Sequence, residues 1–355
     1  YCNNAGLRAA EKKEFAEARR LIEEAVQLHP AGADLRANYC RVAVREASIL
    51  QSLGKTEQSL SLLHDTLGRC PANPDVHLAL GETYYKMNDY PSSLERFEFA
   101  AGILPGDTSI AARIAQIRKE SAVERTFGEN DRSRFVIRFE AGAGSDLSWK
   151  ISGVLDDAYR EIGNKLQWWP KARMTVIVYS KDQYKAVTGS PDWSAGRYDG
   201  KLRICASDLV LTNDYLRTVV RHEFTHALIH ELYGTGIPIW LNEGLAQYAA
   251  SDAPLSADEK AILRKAGKEG IVPPWDLAPL FTSTNAQDIA RAYLESRHFT
   301  GYLFQRYGAH TAGTFIADCA GGKDPGEVMP TMFNMSPELM FGQWLDELAK
   351  EIGFR

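Results

Sequence analysis

Along most of this chain apolar residues return three and four positions apart, the period of one buried helix face. Gly6, Phe15, Ala18, Ile22, Ala25 and Pro30 form one register, and Leu80-Gly81, Tyr84, Tyr90, Phe97, Ala100 and Pro105 repeat it. A degenerate unit with Gly54, Leu63 and Pro71 lies between them. Pro71 and Pro105 stand 34 residues apart, and the step from Pro30 to Pro71 is seven longer. The series predicts about three stacked helix pairs over residues 1–118, in which small residues let helices close and prolines end every second one.

Further on the pattern changes. The polar run Gly128-Glu129-Asn130-Asp131-Arg132-Ser133 predicts a linker over 119–133. Residues 134–140 and Met174-Thr175-Val176-Ile177-Val178-Tyr179 read as strands, with a helix over 146–166 between them. Gly196–Cys205 reads as an edge strand, its glycines allowing a bend or bulge. Next, Leu216, Val219, Val220, Phe224, Leu228 and Leu232 mark a helix, with Asn213 as N-cap and Gly234 just past its end. The remainder reads as mostly helical, closing on a capped terminal helix after Met335-Ser336-Pro337. The expected class is α+β and largely helical, with repeats in front and a second domain over 134–355 holding a small mixed sheet.

The candidate chemistry lies on the predicted helix after Asn213. His222-Glu223-Phe224-Thr225-His226 puts two imidazoles at i and i+4 on one face, where both can grip one ion. Glu223 sits at the edge of that face, placed to take a proton from a metal-bound water. Trp240-Leu241-Asn242-Glu243-Gly244 brings a second carboxylate seventeen residues beyond His226, enough to complete a His₂Glu zinc site with one position open. His230 extends the i, i+4 series, but lies a further turn along and about 40° round. It reads as a partly buried histidine, not a ligand.

These two segments together, with Leu245-Ala246-Gln247-Tyr248 following, resemble the gluzincin metallopeptidases. The second is close to that of aminopeptidases of the aminopeptidase N type, although the gap from His226 to Glu243 is slightly shorter than theirs. The arrangement is most similar to the peptidase MA-like domains that follow tetratricopeptide repeats in bacterial proteins, and the N-terminal register resembles those repeats. The resemblance implies one zinc ion held by His222, His226 and Glu243, with Glu223 as general base. It implies that Asn242 supports a ligand histidine. Gln247 stands where thermolysin-like enzymes have an aspartate that orients the other histidine; its amide oxygen can still accept, without charge. Tyr293 matches by position the tyrosine that stabilises the oxyanion in the aminopeptidases, and His298 is the alternative donor. The 196–205 strand would border a groove for extended substrate. The Gly-Ala-Met-Glu-Asn signature that holds a substrate's free amine is absent, which argues against a dedicated aminopeptidase.

The implied function is zinc-dependent peptide hydrolysis, with repeats that bind protein or peptide. Two alternatives stay open: a repeat-based interaction module carrying a structural or weakly active zinc domain, and an aminopeptidase. A chain of 355 residues with 45% hydrophobic content supports two ordinary cores. The net charge of −5 points to no polyanion, so no nucleic-acid partner is expected, and no stretch reaches transmembrane length. Cys2, Cys40, Cys70, Cys205 and Cys319 define no framework; Cys40 and Cys70 are free to pair or to remain buried thiols. The chain opens at Tyr1, which reads as a processed or trimmed end. The resemblance favours a bacterial periplasm or cell envelope.

Overall fold

The computed structural model describes the chain apart from residues 31, 132–133, 141–144, 191–194, 207–212, 235, 252 and 354–355, and apart from the side chains of 145–148 and 213. The described residues are largely helical, with five short strands in both parallel and antiparallel pairings, an α+β fold. None of the described helices is long and apolar enough to cross a membrane. Two compact units divide the chain: Tyr1–Ala143 with Lys171–Asp192, and Gly144–Pro170 with Trp193–Arg355.

The first unit opens with α1 (Cys2–Glu11), α2 (Phe15–Leu28), α3 (Ala33–Ser52), α4 (Thr56–Arg69), α5 (Pro74–Lys86), α6 (Tyr90–Ile103) and α7 (Thr108–Glu124). Each packs on the next. Most of the apolar residues that carry the periodic pattern are buried, with Ala18, Ile22, Leu63, Leu80 and Ala100 at zero exposure, while Pro30, Gly54, Pro71 and Pro105 at the helix ends are exposed. A side chain at Gly81 would put Cβ 2.8 Å from the Phe97 ring, so glycine there sets how closely α5 and α6 approach. The longer step between Pro30 and Pro71 has a simple origin. Helix α3 has 20 residues where its counterpart α5 has 13, a difference of seven. Cys40 of α3 and Cys70, just past α4, are joined in a disulfide.

The stretch expected as a linker instead carries the last turns of α7 and strand β1 (Phe127–Asp131), which pairs antiparallel with β2 (Phe135–Glu140). After helix α8 (Ser145–Leu166) of the second unit, β3 (Met174–Tyr179) pairs parallel with β2, Phe135 opposite Met174, and α9 (Lys181–Thr188) follows. These strands belong with the N-terminal helices, not with the later unit. Glu124 supplies one reason. Its buried carboxylate accepts hydrogen bonds from the hydroxyls of Tyr90 and Tyr179 and from Arg138 at 2.7 Å, which ties α7 to α6, β3 and β2.

In the second unit the segment read as a single edge strand is a hairpin. Strand β4 (Gly196–Tyr198) pairs antiparallel with β5 (Leu202–Cys205), and Asp199–Lys201 turn between them with Gly200 at φ +99°. Then come α10 (Asn213–Tyr233), α11 (Ile239–Ala250), α12 (Ala257–Glu269), a 3-10 turn at Pro274–Asp276, α13 (Ala278–Phe281), α14 (Ala286–Ala320), α15 (Pro325–Phe333) and α16 (Pro337–Ile352). Helix α14 is broken at Gly308, where φ is 76°. Its first part lies against α11 so closely that a Cβ on Gly244 would fall 2.4 Å from Thr300 Oγ1. Trp240, Phe299 and Trp344 fill the core between α11, α14 and α16, buried to within 2% of their surface. The burial of so much aromatic surface fixes the two helices that bear Glu243 and Tyr293.

Candidate metal centre

Helix α10 presents its apolar face inward through Leu216, Val220, Phe224 and Leu228, all at zero exposure. That orientation turns His222 and His226 toward a cavity of about 910 Å³ lined also by β4, α11 and α14. The two Nε2 atoms are 3.0 Å apart, and both point at Glu243 of α11, with Glu243 Oε2 3.6 Å from His222 Nε2 and 3.5 Å from His226 Nε2. The potential ligand atoms of all three residues lie within 4.8 Å of one another.

Three observations bear on whether an ion fits there. Glu243 Oε2 is buried without a hydrogen-bond partner, a costly state for a carboxylate oxygen. His226 Nδ1 faces Asn242 Oδ1 at 3.0 Å, so Nδ1 carries the proton and a neutral His226 turns a bare lone pair toward the other two residues. The donor set, two imidazole nitrogens and a carboxylate with the rest of the cavity open, is one that suits zinc. Those residues fit the group.

Electrostatics agree with the geometry. Burial alone would push the His226 imidazole down, but the Glu243 carboxylate outweighs it and holds the imidazole up at about 9. Burial would likewise raise Glu243, yet His222 and His226 hold its carboxyl down to about 2. Imidazole and carboxylate thus neutralise each other as an ion pair, and a cation would be held by the neutral imidazoles and the ionised carboxylate after the histidines give up their protons. The carboxyl of Glu223 is only 9% exposed and is pushed up by burial, with the two histidines pulling the other way.

The other residues named from the sequence divide. Tyr293 lines the same cavity from α14, its ring edge-on to Phe281 at 5.3 Å. Burial raises its hydroxyl, and the carboxylates of Glu243 and Glu223 add to that effect, so it stays a hydrogen-bond donor. His298 is not at this site. Its Nε2 faces Glu351 at 3.0 Å, its Nδ1 accepts from Trp344 at 2.9 Å, and it lines a different cavity with Tyr248 and α16. Position 298 lies five residues past Tyr293, which on a helix turns a side chain well away from its direction. Gln247 lines the metal cavity, but among the described residues it bonds neither histidine. His230 is exposed rather than partly buried, and stands edge-on to Tyr198 at 5.7 Å on the cavity rim.

One group escaped sequence reasoning altogether. Gly196 of β4 lies directly against Glu223. No local signal announces this approach; only the Asp199-Gly200 pair, a strong hairpin turn, could have warned that β4 folds back here. Val219, Ile229, Ile237 and Ile289 form the apolar part of the wall. Compared with known proteins, the chain matches no protein-family model, and no curated protein matches it.

Proposed function

We propose that this chain is a zinc-dependent metallopeptidase of gluzincin type. The observation that carries the reading is the convergence of His222, His226 and Glu243 on one point beside Glu223, with Glu243 Oε2 buried and otherwise unpartnered. When bound, a zinc ion supplies Lewis-acid polarisation and makes water a stronger acid, towards a pKa of ~7. Glu223 takes the proton of the attacking water, holds it in its low-dielectric position, and delivers it to the leaving amine. Tyr293 donates a hydrogen bond to the oxyanion of the tetrahedral intermediate. Asn242 fixes the His226 ring so that Nε2 remains the ligating nitrogen. The helix pairs α1 to α6 take the role of tetratricopeptide repeats that engage a protein or peptide.

A second reading, an interaction protein with a structural or weakly active zinc domain, draws support from Gln247. With that side chain bonding neither histidine, His222 lacks the orienting partner that its neighbour has. The deciding experiment is zinc stoichiometry together with hydrolysis of a quenched, unstructured protein substrate, by the wild type and Glu223→Gln. One zinc per chain in both and turnover in the wild type alone supports the peptidase. Loss of zinc in Glu223→Gln, or activity that survives it, overturns the role given to Glu223. One zinc with no turnover in either favours the interaction protein.

A further inference from the structure

The close approach of β4 to Glu223 has no structural necessity of its own. An alanine methyl at position 196 would stand 2.5 Å from Glu223 Cγ and 3.0 Å from both Cδ and Oε1. Real Cβ atoms do not come so near, and Cγ is the middle of the side chain, so the whole carboxylate arm would have to move. Nor does the backbone call for glycine. Gly196 is absent from the residues with positive φ and pairs regularly with Ile204, so an L-residue fits its conformation. The three atoms that such a methyl would meet first all belong to Glu223. Strand β4 thus bounds Glu223 sterically at Gly196.

We propose that Gly196 is a positioning residue for the general base: the missing side chain leaves the space that sets the carboxylate of Glu223 at its working distance from the His222–His226–Glu243 cluster. The inference rests on the peptidase reading for its consequence, but the contact is testable without turnover. A base displaced by about 1 Å loses on the order of 10²-fold in rate while substrate still binds. Substrate affinity, which Glu223 does not supply, stays nearly constant.

The test is a double-mutant cycle read two ways. In the metal-free protein, thermal midpoints are measured for the wild type, Gly196→Ala, Glu223→Ala and the double variant. Gly196→Ala is expected to lower the midpoint when Glu223 is present and to leave it unchanged when position 223 is alanine, whose short side chain vacates the space. An equal drop in both backgrounds overturns the contact. In the zinc-loaded protein, Gly196→Ala is expected to keep one zinc per chain and a KM within about twofold, while kcat falls roughly 100-fold. An unchanged kcat, or a loss seen wholly in KM, overturns the positioning role. A wild type with no turnover overturns the peptidase reading and the positioning role with it, while the stability cycle still reports on the contact.

Discussion

Glu295 shows how a single side chain can make this protein sensitive to pH away from the metal cluster. It lies on α14 two residues past Tyr293, fully buried, with Oε1 accepting from Arg291 Nε at 2.7 Å and Oε2 without a partner. Burial raises its carboxyl from the 4.5 of a free glutamate to about 7, although Arg291 opposes the shift. The folded value therefore lies above the unfolded one, so folding favours the protonated form. That contribution is complete below about 4.5 and is lost as pH rises through about 7. At 1.36 kcal/mol per unit the shift bounds the effect at about 3 kcal/mol. Glu295→Gln, which keeps an acceptor for Arg291 and removes the charge, is expected to flatten the profile. Urea unfolding at pH 5 and pH 8 checks it, since the wild type should lose more stability across that interval than the variant. Identical losses would mean that Glu295 does not carry the dependence. At this scale the pairing of His222 with His226 was legible in the sequence because helical periodicity alone aligns residues four apart, whereas Glu243, on the separate helix α11, was legible only through the Asn242-Glu243-Gly244 segment. The misplacement of His298 has the same cause, read the other way: its direction depends on an angle around α14, not on nearness in sequence.

Elements were legible wherever burial and period coincide. Helix α8 begins one residue before the predicted start and β3 spans the predicted residues, because their apolar positions point where the backbone period puts them. Strand β1 had no such signature. Gly128, Glu129, Asn130 and Asp131 offer no apolar alternation, and the segment is a strand only because β2 supplies its hydrogen bonds. The division into units was hidden for a related reason: some of the bonds that hold β2 and β3 to the helices come from Glu124, one buried charge at the end of α7. Glu124 has no exposed side-chain surface and Arg138 only 12%. Removing one partner of such a pair leaves the other charge uncompensated and costs about 3–5 kcal/mol. Glu124→Ala is accordingly expected to lower the denaturant midpoint sharply, and Glu124→Gln, which retains one acceptor oxygen for the two tyrosine hydroxyls, less so. A loss under about 1 kcal/mol in Glu124→Ala would show that the tyrosine and arginine contacts contribute little net stability.

For the molecule as a whole, cysteine chemistry links folding to environment. Five cysteines in a chain with no CxxC spacing left pairing open at the sequence level, since which thiols meet depends on how helices α3 and α4 pack. The fold brings Cys40 and Cys70 together, while Cys2, Cys205 and Cys319 keep their thiols. A bond of this kind persists where thiols are oxidised and is lost where glutathione keeps them reduced. It closes a sequence separation of 30 residues, and a loop of that length, constrained in the unfolded chain, is worth about 3–4 kcal/mol on the chain-entropy account. Stability of the first unit should therefore depend on redox conditions, whereas the His222–His226–Glu243 cluster, which contains no sulfur, should not. Alkylation of the denatured, unreduced protein is expected to modify three cysteines by mass, and prior reduction to raise the number to five. Reduction should also lower the thermal midpoint with zinc stoichiometry unchanged. Five modified cysteines before reduction would show that Cys40 and Cys70 stay apart. Loss of zinc on reduction would show instead that the disulfide supports the His222–His226–Glu243 site, although the two belong to different units.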